Sequence, residues 1–129
     1  MRVEIPLKLP SLNEYINKCR YNKYAGNYYK QKIEANIYPY IINMPKLERP
    51  VKIDFHWVEG NKKRDLDNIC FAKKFILDAL VKYGKLKNDN RKNVYAFTDS
   101  FSYSNEWKVI LNIEENKDEW FRWRRNWGN

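Results

Sequence analysis

The stretch VKIDFHWVEGNKKRDLDNICFAKKFILDALVKYGKLKNDNRK, residues 51–92, changes its hydrophobic period once along its length. Val51, Ile53, Phe55 and Trp57 alternate with Lys52, Asp54, His56 and Val58, the period of a strand with one buried face. After the basic turn GNKKR, apolar residues recur at three- and four-residue steps (Ile69, Ala72, Ile76, Ala79, Leu80, Tyr83), which predicts a helix over residues 68–83. Gly84 stands where a helix stop needs left-handed backbone. A half-buried strand running directly into an amphipathic helix makes this a chain of both α and β structure.

Working outward, Val3, Ile5, Leu7 and Leu9 alternate and predict a strand over 3–9, which Pro6 shortens or confines to a sheet edge. Ser11 and Glu14 have the spacing of a capping box and open a short helix. The basic, tyrosine-rich YNKYAGNYYKQ reads as a loop leading into a helix over 27–41, with Pro39 as a potential early stop. Residues 94–101 and 107–113 read as strands joined by SYSN into a hairpin. Residues 114–129 form an acidic, then basic and aromatic tail. The chain, 1–129, reads as one domain.

Composition narrows the partner. The 25 Lys and Arg outnumber the 16 Asp and Glu, a formal charge of +9, while 16% aromatics supply a core and argue against disorder. So strong a surplus on a small body points to a polyanion, nucleic acid first. The longest uncharged run, 35–45, is interrupted by Asn36, Pro39 and Asn43 and falls short of the roughly 20 apolar residues that span a bilayer, so no membrane partner is expected. No apolar secretory block opens the sequence, and two isolated cysteines, Cys19 and Cys70, suit a reduced, cytoplasmic protein. His56 is expected to face away from the buried side of its strand, and Cys70 to fill a boundary of the core.

The chemistry gathers in residues 62–92. Asp65 and Asp67, two apart in chain expected to be extended, would project to one side, with Lys74 and Asp78 further along the same helical face. Asp89 follows in a polar loop able to fold back beside the helix. Three such carboxylates are hard oxygen ligands suited to Mg²⁺. Lys62, Lys63, Arg64, Lys73, Arg91 and Lys92 would hold phosphates. Each piece also has a plain role: a helix cap for Asp67 or Asn68, an i,i+4 ion pair for Asp78, a turn for Asp89.

The run RDLDN (64–68), DAL (78–80), Gly84 and Asp89, with PSLN (10–13) near the start, resembles the RusA family of Holliday junction resolvases over about residues 5–113. The resemblance implies an α+β fold, a small mixed sheet with helices packed on it, and a homodimer that makes Mg²⁺-dependent paired nicks at a four-way DNA junction, a branched DNA substrate. It places the catalytic aspartates on Asp65, Asp67 and Asp89. The family's functional lysine lies one turn after the second aspartate, but here three further residues separate that aspartate from DAL. Counting forward lands on Phe71 and counting back lands on Lys74, which is the expected lysine, with Lys73 as the alternative. The family's tandem acids at the last motif are here Asn88 and Asp89. The competing reading is a non-catalytic basic DNA-binding protein.

Two further segments stay open on sequence alone. Residues 15–32, a mixture of tyrosine and lysine, suit a DNA backbone or an ordinary amphipathic surface. The tail WFRWRRNW (120–127) suits stacking on distorted nucleic acid or docking onto the protein.

Overall fold

A computed structural model describes residues 1–116, with elements β1 (Arg2–Ile5), α1 (Leu12–Tyr21), α2 (Ala25–Ile41), β2 (Val51–Glu59), α3 (Leu66–Cys70), α4 (Lys73–Lys82), β3 (Val94–Tyr103) and β4 (Lys108–Glu115). The four strands form one mixed sheet in the order β1-β4-β2-β3. β1 and β2 both run antiparallel to β4, and β2 runs parallel to β3. A parallel pair needs a long crossover, which α3 and α4 provide. The tail at 120–127 lies outside the described residues.

β2 is the spine of the sheet. Val51, Ile53, Phe55 and Trp57 are almost wholly buried and join Ile37, Ile41, Phe75, Ile76 and Leu80 from the helices in one core. The alternate face carries His56, whose ring nitrogens lie 2.7 and 2.8 Å from the hydroxyls of Ser100 and Ser102 on β3. The histidine therefore faces away from the core, as its place in the alternation requires.

The expected hairpin does not form, because β2 lies between β3 and β4. Beyond Tyr103 the chain crosses the end of β2, where the Ser104 N–H donates to the Glu59 carbonyl at 2.9 Å, and returns along β2's other edge. Trp107 packs over Gly60 in this crossing; a Cβ on Gly60 would lie 2.2 Å from the indole nitrogen. SYSN is thus a connection over a strand end. β4 also extends to Glu115, so residues 114 and 115 belong to the sheet and not to the tail.

The first strand ends at Ile5, where Pro6 removes a ladder donor. The capping box forms as expected, with the Glu14 N–H donating to Ser11 Oγ at 3.2 Å and the Ser11 N–H to Glu14 Oε1 at 3.4 Å. The tyrosine-rich segment is mostly helix, since α2 begins at Ala25, and Pro39 does not end it. An interior proline costs about 3 kcal/mol. Complete burial of Ile37 and Ile41, at about 1.5–3 kcal/mol each, offsets that cost.

The helix expected over 68–83 is two helices. It starts earlier, at Leu66, and breaks at Phe71 and Ala72, where tighter i to i+3 bonds (Ala72 N–H to Ile69 O, Lys74 N–H to Phe71 O) replace the regular ladder. α4 ends at Gly84, whose φ of 76° places it in the left-handed region. The Lys85 N–H reaches the Leu80 carbonyl at 2.8 Å and the Gly84 N–H reaches Val81 at 3.1 Å, a Schellman stop. No helix among the described residues is long and apolar enough to cross a membrane.

Candidate functional site

The site is assembled where the start of α1 meets the start of α3. Arg64 is the clamp. Its guanidinium donates to both carboxylate oxygens of Glu59 at 2.8 Å and to the Leu9 carbonyl at 2.8 Å, and lies 3.9 Å from Glu14. Only 14% of the side chain is exposed. The planar fork suits this bidentate pairing, through which Arg64 positions the loop. A further bond runs from the Asn13 N–H to Asn68 Oδ1 at 3.3 Å, so the separated segments PSLN and RDLDN are joined.

Asp65 is the N-cap residue of α3, yet its side chain makes no capping bond, and Asp67 lies in the first turn. Because the helix begins at Leu66, the two carboxylates are not alternate residues of an extended chain, and the expectation that alternation aligns them falls. Both residues are exposed, and neither carboxylate has a hydrogen-bond or ion-pair partner among the described residues. Glu59, Asp78, Asp89 and Asp99, by contrast, all face a cation.

Asp67 opens onto a depression of about 540 Å³ between α1, α2 and the α3–α4 turn, shared with Tyr15, Lys30, Phe71, Lys73 and Lys74. Its base is aromatic: Tyr15 lies 5.8 Å from Phe71 and 5.3 Å from Phe75, centroid to centroid. Lys74 Nζ, from the same depression, is 3.2 Å from Asp78 and 3.7 Å from Asp89. The polar loop thus brings Asp89 beside the first turn of α4. Lys30 Nζ approaches Asp78 at 2.8 Å, and this bond raises the lysine's pKa above its ordinary value.

The two candidate lysines are separated by their surroundings. Lys73 Nζ pairs with Asp99 on β3 at 2.5 Å and lies 4.1 Å from the centre of the Phe97 ring; the other Asp99 oxygen accepts from the Trp57 indole at 2.9 Å. Lys73 is thereby tied to the sheet, and Lys74 is left to face Asp89. Lys62, Lys63, Arg91 and Lys92 are exposed. Burial, then the nearby Asp99 charge, pushes the Cys70 thiol up, which suits filler and not a nucleophile.

Among the described residues no group of three or more His, Cys, Asp or Glu side chains is arranged to hold a metal ion. The donor chemistry nonetheless suits Mg²⁺, with the carboxylates of Asp65 and Asp67 unpartnered among the described residues at the start of α3 and that of Asp89 beside Lys74. Sequence reasoning missed Asp99 and Lys30. Asp99 is a single acid in a strand of mixed pattern, and Lys30 is one of several lysines among tyrosines. No protein-family model matches the chain, and no curated protein matches it.

Proposed function

We propose that this chain is a RusA-like, Mg²⁺-dependent endodeoxyribonuclease that resolves four-way DNA junctions as a homodimer. The observation that carries the reading is the state of the RDLDN carboxylates. In a protein with a surplus of nine positive charges, Asp65 and Asp67 stay exposed and have no ion-pair partner among the described residues. The Arg64 and Asn68 contacts fix their segment, and Lys74, which lines the same depression as Asp67, lies 3.7 Å from Asp89. Unpaired clustered carboxylates repel one another and raise the affinity for a cation.

Asp65, Asp67 and Asp89 would hold Mg²⁺, which supplies an activated water and polarisation of the scissile phosphate. Lys74, largely exposed, would donate to the charge that develops on the phosphate oxygens. Lys62, Lys63, Arg91 and Lys92 would contact the backbone without reading sequence. Twofold symmetry would present one such site to each of two opposed strands.

The alternative, a non-catalytic DNA-binding protein, draws on the same ion pairs: Lys74 already satisfies Asp78 and Asp89 without a metal. A synthetic four-way junction separates the two. With Mg²⁺ the protein should make paired symmetric nicks, EDTA should stop them, and Asp67→Asn should bind without cutting. Binding with no metal-dependent cleavage by folded protein would establish the alternative.

A further inference from the structure

The α1–α2 hairpin carries a second surface, beyond the carboxylates. Residues 15–33 contain Lys18, Arg20, Lys23, Lys30 and Lys32 and no Asp or Glu. Lys30 turns toward Asp78, and the other four remain on the hairpin. Glu14, at the start of α1, is occupied by the cap and by Arg64.

Large rings stand in water among these charges. Tyr21 is 83% exposed, Tyr24 70% and Tyr28 69%, an unusual exposure for side chains of this size that no packing in the fold explains. Tyr21, Tyr28 and Tyr29 line a groove of about 540 Å³ between the helices, with Lys18 and Lys32 at its side and no carboxylate in its wall. Lys18 Nζ lies 5.4 Å from the centre of the Tyr29 ring. The groove is firmly built, because Gly26 lets α2 press on Cys19: a Cβ there would fall 2.5 Å from Sγ.

We propose that this groove binds single-stranded nucleic acid, its tyrosines stacking on unpaired bases and Lys18 and Lys32 holding the flanking phosphates. Rings with interleaved cations and no acids match a flexible polyanion with aromatic faces, and suit duplex DNA less because its bases are already stacked. α1 also contributes Leu12 and Tyr15 to the Asp67 depression, so one helix serves both surfaces.

The experiment uses the full chain in EDTA, so that no cleavage is needed, with dye-labelled oligo(dT) and oligo(U) followed by fluorescence anisotropy. Duplex DNA and dextran sulfate serve as competitors. Tyr21→Ala with Tyr28→Ala should weaken binding by roughly five- to a hundredfold per lost stack, and the Phe substitutions should retain it. Lys18→Gln with Lys32→Gln should flatten the salt dependence, which the Ala pair leaves unchanged. Circular dichroism should show every variant folded. Equal tightness for oligo(dT) and oligo(U) makes strandedness the ligand; a preference for one identifies the source. Four results would overturn the proposal: no loss in the Ala pair, equal competition by dextran sulfate, tighter binding to duplex, or a dimer that the Ala pair dissociates. Because binding is read in EDTA on variants of the α1–α2 groove, failure of the junction-cleavage test would leave this result standing.

Discussion

Lys73 has 15% of its side chain exposed and pairs with Asp99, whereas Lys74 is 57% exposed and lies 3.7 Å from Asp89. Adjacent lysines should therefore fail in different assays. Lys73→Ala leaves the half-buried Asp99 carboxylate without its cation, keeping the bond from the Trp57 indole, a loss of about 1–3 kcal/mol that urea unfolding would register. Lys74→Ala should leave the unfolding midpoint near that of the parent and lower junction cleavage by about 10²–10³-fold if it stabilises developing phosphate charge. The reverse pattern, a stable and inactive Lys73→Ala, would move the functional role to Lys73. Counting positions could not separate the two, because the break at Phe71 and Ala72 ends the regular helical spacing on which counting depends. The Arg64 pairing was hidden for a related reason. Arg64 stands in a basic run with Lys62 and Lys63, and only the fold shows that Glu59, five residues back, closes on it.

At the scale of elements, what could be read from the sequence was local. β2 declared itself by alternation, the α1 start by the Ser11 and Glu14 spacing, and the α4 stop by Gly84, since each signal is satisfied within a few residues. The order of the strands was hidden, because pairing is settled by a distant partner: β4 chooses β2 over its sequence neighbour β3. The site divides in the same way. Its acids were visible as a motif, while their mutual geometry depends on a helix break and a loop return. The α1–α2 hairpin provides the test of an element. Gly26→Ala puts a methyl 2.5 Å from Cys19 Sγ and should destabilise the protein by about 1–3 kcal/mol. Cys19→Ala removes that sulfur, leaving Cβ at 3.4 Å, so the double variant should recover part of the loss. Thermal melts of the four proteins give the coupling, which for touching residues is about 0.5–3 kcal/mol. Simple additivity would mean that the helices adjust without strain and that the groove between them is not rigidly held.

For the whole molecule, the +9 charge is unevenly used. Lysines and arginines neutralise most of the acids near the site, but Asp65 and Asp67 have no cation paired with them among the described residues, on a surface proposed to meet phosphate. Without a metal, those two carboxylates work against DNA binding. A unit charge at roughly 5 Å in water-like surroundings costs about 0.8 kcal/mol, so removing two should tighten binding by ~10-fold after partial screening. Asp65→Asn with Asp67→Asn should accordingly bind a four-way junction more tightly than the parent in EDTA. The advantage should shrink as salt rises, and should vanish or reverse in Mg²⁺, where the parent gains a bound cation that the variant cannot hold. Titrations across a salt series, with and without Mg²⁺, read the three effects together. Equal affinity in EDTA would place the DNA away from α3. An advantage that persists unchanged in Mg²⁺ would mean that the acids hold no cation, and their only electrostatic effect would then be to repel the phosphate backbone.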